Sequence, residues 1–334
     1  MTIVYALIMF CILVLVHEGG HFIAAKSVGV KVNEFAVGMG PVLLKKQKGE
    51  TQYSVRLFPI GGFCAMEGED DDSDDERAFG RKPAWAKSII IVAGSFMNLL
   101  LAIIILAGIV IYIGMPTTKI DSFSDISPAK EAGLVAGDKI VSIQNQNIDD
   151  WGDITNAISS QSGETVTIGV QRDGQNLSFT MDLVTEAGTG RKIVGIMPEV
   201  SRNPFTAFVK GAESAWVMTV KMVEVLGQLI TGEVSTKELT GPIGITVAVG
   251  DSMKYGFVYV ANLAALISLN LAIVNMLPFP ALDGGRLLFL IIRKVTGRAI
   301  TDELEAKIHL VGIMLLFGLM IYVTWQDIGR FILN

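Results

Sequence analysis

Long hydrophobic runs separated by polar stretches dominate the chain. A helix needs about 20 mostly apolar residues to cross the hydrocarbon core of a bilayer. Three runs meet this length, and a fourth is shorter but carries no charged residue after His309. These runs cover residues 2–25, 88–115, 256–277 and 308–325. The pattern therefore predicts a multi-span α-helical membrane protein with four transmembrane helices.

A polar stretch over residues 117–200 separates the second hydrophobic run from the third. Within it, residues 165–171 and 177–183 alternate polar and apolar positions, which is typical of strands with one buried face. The Asp173-Gly174 pair between them favours a tight hairpin turn. Together with a short helix before them, these strands predict a small α+β domain in water.

Two β-rich stretches follow the first hydrophobic run, over residues 32–43 and 53–66. Because the polar sequence KKQKGETQ lies between them, the segment is typical of a β-hairpin. The alternative is a plain loop. The acidic run EGEDDDSDDE, at 67–76, is interpreted as a solvated linker, since it lacks the ligand spacing of a known calcium loop.

Residues 203–230 are also apolar, but we do not count them as a membrane span. Lys210, Glu213, Lys221 and Glu224 would be costly at the centre of a bilayer. The segment is therefore predicted to be a helix that lies against the membrane or the protein surface.

Composition agrees with a membrane protein, because 51% of the 334 residues are hydrophobic and the mean hydropathy is +0.50. The net charge of −6 gives no indication of a nucleic-acid partner. Cys11 and Cys64 make no disulfide framework. Lysine and arginine concentrate between the first and second runs and between the third and fourth. This bias predicts that both segments are cytoplasmic and that the 117–255 region lies outside.

The sequence HEGGH at residues 17–21 lies inside the first predicted span. On a helix, His17 and His21 share one face, so both imidazoles can bind the same ion. Zinc is often bound by two such nitrogens and an oxygen, with one position left for water. Glu18 is then placed to take a proton from that water. The alternative is a polar packing patch, but ionisable groups within a span usually mark function.

A carboxylate after the third span is the candidate for the oxygen ligand. In NMLPFPALDGG, Pro278 and Pro280 end the helix, and Asp283 follows directly before a glycine pair. His17 lies roughly 21 Å from the outer end of its helix, in the cytoplasmic third of the bilayer. With four spans, the third span ends on the cytoplasmic side, so Asp283 lies on that side. If residues 203–230 also spanned the membrane, Asp283 would lie on the outer side. The alternative is a solvated aspartate in a helix-terminating turn.

HEGGH in the first span together with NMLPFPALDGG in the third resembles the site-2 protease family of intramembrane metalloproteases (peptidase family M50). More narrowly, the chain resembles the bacterial RseP-type branch. VGMGP at 37–41 and PIGGF at 59–63 resemble the membrane-associated β-hairpin of that branch. SPAKEAGLVAGDKIVSI resembles the core of a PDZ domain, and GPIGI precedes the third span as in the family. Only one PDZ domain fits between spans two and three, unlike the two-PDZ form.

The resemblance implies a fold in which four transmembrane helices carry a membrane-associated β-hairpin and one extracytoplasmic α+β PDZ domain. The implied order is transmembrane helix 1 (1–26), a cytoplasmic-side β-hairpin and acidic linker (27–87), transmembrane helix 2 (88–115), the PDZ domain (117–200), a membrane-adjacent helical linker (201–255), transmembrane helix 3 (256–285), a cytoplasmic segment (286–307) and transmembrane helix 4 (308–326).

The resemblance also implies regulated intramembrane proteolysis, in which a peptide bond is hydrolysed within a membrane-spanning substrate already shortened outside. His17, His21 and Asp283 would bind one Zn²⁺, and Glu18 would be the general base. The residues implied to contact the substrate are Asn275, Pro278, Pro280, Gly38 and Gly40. Anti-sigma factors or signal-peptide remnants would be the substrates, in the lipid bilayer of a bacterial cell membrane.

Two other functions use the same residues. A metal-transporting or metal-sensing membrane protein could employ the His/His/Asp set, but the sequence offers no further intramembrane acids or histidines for a transport path. A catalytically dead scaffold would normally have lost Glu18 or a ligand. The third histidine, His309, is interpreted as an interfacial residue.

Overall fold

The structure is a computed structural model that describes residues 1–69, 73–186, 190–235, 239–297, 302–331 and 333. It divides into two compact units. The first comprises Met1–Ile109 with Phe208–Asn334, and the second comprises Val110–Ala207.

The helices are α1 (Thr2–Ser27), α2 (Ala84–Ile113), α3 (Pro128–Glu131), α4 (Trp151–Ser159), α5 (Pro204–Thr231), α6 (Pro242–Tyr255), α7 (Phe257–Asn275), α8 (Asp283–Thr296) and α9 (Asp302–Phe331). The strands are β1 (Val32–Lys48), β2 (Thr51–Met66), β3 (Met115–Phe123), β4 (Lys139–Ile143), β5 (Gln146–Asn147), β6 (Thr165–Arg172), β7 (Gln175–Asp182), β8 (Val184–Thr185), β9 (Lys192–Ile193) and β10 (Ile196–Ser201). A 3₁₀ turn covers Phe79–Arg81.

Within the described residues, four helices are long and apolar enough to cross a membrane. They are α1, α2, α7 and residues Leu304–Phe331 of α9. The prediction of four such helices is confirmed. The second and fourth helices begin several residues before the predicted spans, because a helix continues through charged residues that end a hydrophobic run.

Helix α5 packs against α2 and α7 instead of forming a further candidate span among the described residues. Ala215 of α5 is buried in a cluster with Ala102 and Leu106 of α2 and with Ala265 and Leu269 of α7. The small side chains of the three alanines allow close helix packing. The predicted helix over 203–230 therefore forms, and it lies against the protein surface, which was one of its two predicted positions.

The first unit also contains the antiparallel hairpin β1–β2, which turns between Lys48 and Thr51. Its register shifts at several places along β1, so the ladder contains bulges or irregular pairs. Gly38 and Gly40 have φ values of +85° and +86°, which favour glycine. The contact of this hairpin with a membrane stays a prediction.

The acidic run differs in part from a solvated linker. Asp74 is fully exposed, but the Glu67 carboxylate accepts hydrogen bonds from Ser73 (2.6 Å), Asn33 (2.9 Å) and Lys31 (3.0 Å). These donors lower the pKa of Glu67 to about 2. Glu69 pairs with Arg286 of α8. The charges in the sequence alone do not reveal these partners. Residues 70–72 of the run lie outside the described residues.

The second unit is built on a sheet of order β10-β3-β4-β6-β7, with β5 paired to β4. The predicted hairpin is confirmed, because Arg172 of β6 pairs with Gln175 of β7 across Asp173-Gly174. The largest fully buried side chains include Ile120, Ile140, Ile143, Ile154 and Ile168. Burying each isoleucine contributes about 1.5–3 kcal/mol.

The second unit also contains an ion pair between Arg172 and the buried carboxylate of Asp138. Arg172 donates two hydrogen bonds to the Asp138 carboxylate, at 2.6 Å from Nε and 2.7 Å from Nη2. The Val135 amide donates a third at 2.9 Å. Because the Asp138 side chain is fully buried, these donors replace its lost hydration, and they lower its pKa.

Candidate metal centre

Three metal-ligating side chains from distant parts of the chain meet in the first unit. His17 and His21 lie one turn apart on the same face of α1. Asp283 is the first residue of α8 and follows a loop that contains both prolines. A Cβ at Gly284 would lie 2.3 Å from the carbonyl oxygens of Met276 and Leu277, so this loop closes tightly over the start of α8.

The distances between the three donor atoms fit a tetrahedral ion. His17 Nε2 and His21 Nε2 are 3.2 Å apart. Asp283 Oδ2 lies 3.2 Å from the first nitrogen and 3.4 Å from the second. Zinc bonds of about 2.0–2.1 Å in a tetrahedron give ligand separations of about 3.3–3.4 Å. These atoms therefore surround a point at which Zn²⁺ would be bonded to all three.

The imidazole of His21 is oriented for a metal. Its Nδ1 lies 2.8 Å from the carbonyl oxygen of Ile90 in α2, to which it can donate. That tautomer leaves the Nε2 lone pair free to face His17 and Asp283. Both histidines are more than nine-tenths buried. Asp283 Oδ2 is buried and has no hydrogen-bond donor among the described residues, as expected for an oxygen that serves a cation.

Helix α2 contributes two further residues that sequence reasoning missed. Asn98 is fully buried, and its Nδ2 lies 3.5 Å from Nδ1 of His17. Its Oδ1 has no hydrogen-bond partner in the part of the chain that the structure describes. If the amide is rotated by 180°, Oδ1 can accept a hydrogen bond from the Nδ1–H of His17, which leaves Nε2 of His17 for the metal. An asparagine within a hydrophobic span was the available sequence signal.

Gly94 is the second of these residues. A Cβ at Gly94 would lie 2.3 Å from Nε2 of His21 and 2.7 Å from Cε1 of His17. The absence of a side chain therefore lets α2 lie directly against the two imidazoles. A single glycine in a transmembrane helix carries no sequence signal that separates this role from ordinary helix packing.

Glu18 lies beside both histidines on α1 and faces the hairpin. A Cβ at Gly62 of β2 would lie 3.6 Å from Cγ of Glu18. Gly62 pairs with Val37 of β1, the residue before Gly38. A carboxylate at this position can exchange a proton with water near the metal.

The structure brings one other predicted residue to the centre. Asn275 is the last residue of α7, and its Nδ2 lies 3.3 Å from Nε2 of His17. Pro278 and Pro280 lie in the adjacent loop. Gly38 and Gly40 lie in β1 near Phe58 of β2, and Gly38 follows Val37, which pairs with Gly62.

The interfacial position of His309 stays a prediction, but the structure shows a contact of its side chain that the sequence did not indicate. Its side chain is only 17% exposed, and its Nδ1 accepts a hydrogen bond of 2.9 Å from the Ala281 amide. The third histidine therefore contacts the loop that carries Asp283. The sequence did not indicate this, because α9 is apolar over most of its circumference and its rotation cannot be read from the pattern.

Comparison with known proteins agrees with this geometry. The model of peptidase family M50 matches residues 5–319. The chain belongs to this family. A Clostridium acetobutylicum relative is 36% identical over 333 residues, covering 98% of this chain and 97% of the relative. The zinc metalloprotease RasP of Geobacillus kaustophilus is 30% identical, and 99% of each chain is covered.

The regulator of sigma-W protease RasP of Bacillus subtilis is also 30% identical, again with 99% of each chain covered. The PDZ domain of an SdrC-like protein from Listeria monocytogenes is similar to 25% of this chain and 87% of its own, with 25% identity and a TM-score of 0.23. The M50 member described here is a metalloendopeptidase with Zn²⁺ as its cofactor, and the donor set fits that ion.

Proposed function

We propose that this protein cleaves single-span membrane proteins within the lipid bilayer, after a first extracytoplasmic cut has shortened them. The observation that carries the proposal is the position of the His/His/Asp cluster. Two of its ligands and the adjacent glutamate lie on α1, a helix long and apolar enough to cross a membrane. A hydrolytic centre at this position acts on peptide bonds that soluble proteases cannot reach.

We assign His17, His21 and Asp283 as the zinc ligands and Glu18 as the general base. Bound zinc would polarise the scissile carbonyl and make water more acidic. Glu18 accepts a proton from the attacking water and then delivers it to the leaving amine. Asn98 and the Ile90 carbonyl hold the two imidazoles in the tautomers that leave Nε2 for the ion.

The hairpin is proposed to hold the substrate in an extended form. A helix hides its carbonyls, so a transmembrane substrate must unwind before cleavage. Within the described residues this sheet has two strands, and each therefore offers an open edge. Exposed apolar side chains line the hairpin at Met39, Val42, Leu44, Leu57 and Phe58. Gly38, Gly40, Asn275, Pro278 and Pro280 are proposed to contact the extended substrate.

The proposed location is a bacterial cell membrane, with the active site toward the cytoplasm and the second unit, as a PDZ domain, outside. Anti-sigma factors and signal-peptide remnants are the proposed substrates. The name of the B. subtilis relative, regulator of sigma-W protease, supports the first class. The PDZ domain would bind newly exposed carboxyl termini or exclude substrates that have not been shortened.

Replacing Glu18 by glutamine tests this mechanism. The full-length Glu18→Gln enzyme in liposomes should retain zinc and fold, but it should lose cleavage of a membrane-embedded model substrate. Glu76→Gln, the same chemical change at an exposed position, should cleave normally. Unimpaired cleavage by Glu18→Gln would refute the mechanism. Zinc flux into the liposomes without cleavage by the wild type would instead favour a transporter.

A further inference from the structure

The loop that carries Asp283 lies against α9, a helix outside both metal-binding motifs. A Cβ at Gly312 would lie 2.5 Å from the carbonyl oxygen of Pro280. The loop backbone therefore contacts the helix backbone at a position where a methyl group has no space. This contact fixes the distance between α9 and the loop.

The loop is held in a conformation that its own sequence disfavours. Ala281 has a φ of +77°, a value that costs a residue with a side chain about 1 kcal/mol or more. Such a conformation persists only when surrounding groups stabilise it. The amide of Ala281 donates to Nδ1 of His309 at 2.9 Å. This hydrogen bond links α9 to the strained residue, two positions before Asp283.

In this hydrogen bond the histidine ring must be the acceptor. An amide N–H is a donor, so Nδ1 of His309 must offer its lone pair, and the proton of the neutral ring is on Nε2. Glu305 Oε1 lies 3.8 Å from Nε2. The ring of Phe289 in α8 packs against the imidazole, with 5.7 Å between the ring centroids. The ring is therefore oriented by groups from the loop, α8 and α9.

We propose that His309 is a positioning residue for the zinc ligand Asp283. Its Nδ1 lone pair holds Ala281, so that α8 begins with the Asp283 carboxylate 3.2 and 3.4 Å from the two histidine nitrogens. The inference rests on the proposed role of Asp283 as a ligand. It assigns a function in the metal centre to the fourth candidate span.

A matched pair of substitutions at His309 tests whether an acceptor at the position of Nδ1 is required. In His309→Asn the amide oxygen can occupy the position of Nδ1, whereas in His309→Gln it lies near the position of Nε2. The measurement is zinc affinity of the full-length enzyme in detergent, by competition with a chelator. The glutamine variant should lose about 10–100-fold in affinity, the usual effect of removing a group that orients a ligand. The asparagine variant should remain near the wild type.

Two results would overturn the inference: unchanged affinity in the glutamine variant, or an equal loss in both variants. If the glutamine variant does not fold, Gly312→Ala replaces it, because the added methyl displaces the same loop. Gly318→Ala is its control on the same helix, since a Cβ there meets nothing within 4 Å. Loss in the first alone supports the inference, and equal affinity in both refutes it.

Asp283→Ala, measured in the same series, separates this inference from the proposed function. If Asp283→Ala binds zinc like the wild type, the ligand assignment fails, and the proposed function fails with it. If Asp283→Ala loses zinc while His309→Gln does not, only the positioning role is refuted.

Discussion

Replacing Gly94 by alanine should remove zinc from this enzyme. The new Cβ would lie 2.3 Å from Nε2 of His21, whereas carbon atoms in ordinary contact are about 3.5–4.0 Å from their neighbours. One of the two groups must therefore move by about 1 Å. Zinc bonds tolerate deviations of about 0.2 Å. On the proposed ligand set, the displaced imidazole of His21 would no longer bind zinc, and a misplacement of about 1 Å costs about 100-fold in rate.

The assay combines zinc content and cleavage. Zinc per chain is measured by mass spectrometry after purification, and cleavage of a membrane-embedded substrate is followed in liposomes. Gly108→Ala is the matched control, because it makes the same change on the same helix at a position where a Cβ meets nothing within 4 Å. It should keep full zinc content and full activity.

A zinc content and cleavage rate in Gly94→Ala equal to those of Gly108→Ala would refute the reasoning. That result would mean that α1 and α2 can separate by about 1 Å without disturbing the ligands. A loss of activity with full zinc content would instead place the damage at the substrate, not at the metal.

Three other outcomes follow from the structure. Asn98→Ala should lower zinc affinity by about 10–100-fold in a chelator competition. Asn98→Asp keeps an acceptor for Nδ1 of His17 and should lose less affinity. Equal losses in the two variants would contradict the proposed hydrogen bond. Because Arg172 lowers the pKa of Asp138, their pairing stabilises the fold above the unfolded pKa of about 3.9 and weakens as the pH falls toward the folded value. The melting temperatures of the wild type and Asp138→Asn should therefore differ most above about pH 4 and converge in acid, and a constant difference would contradict this. Removing zinc with a chelator should lower the melting temperature of the wild type by mass action, and it should have less effect on Asp283→Ala.

The sequence predicted the helices, and it selected the three candidate metal ligands that the structure brings together, for a physical reason. Long apolar runs and an ionisable HEGGH within one of them are local signals that tertiary contacts do not alter. Asp283 could be selected as a candidate ligand because the prolines and glycines around it mark the end of α7 in any surroundings. The family assignment is confirmed, as is zinc as the cofactor.

The residues that orient the ligands could not be predicted in the same way. The roles of Gly94 and Asn98 depend on the distance between α1 and α2 and on the rotation of α2 about its axis. Neither can be read from the hydrophobic pattern of the sequence. His309 acts on a loop almost 30 residues earlier in the chain, and its direction depends on how α9 is turned. The pairing of Glu67 depends on Lys31 and Asn33, which lie more than 30 residues away in sequence.

The separation of the metal ligands along the chain has a consequence for biosynthesis. About 260 residues lie between the histidines of α1 and Asp283, and His309 follows later still. At about 5–20 residues per second, a ribosome needs roughly 10–50 seconds to travel that distance. On the proposed ligand set, a chain still being synthesised has no complete metal centre. If the proposed function is correct, the growing protease therefore cannot cut its neighbours in the membrane before Asp283 has been synthesised.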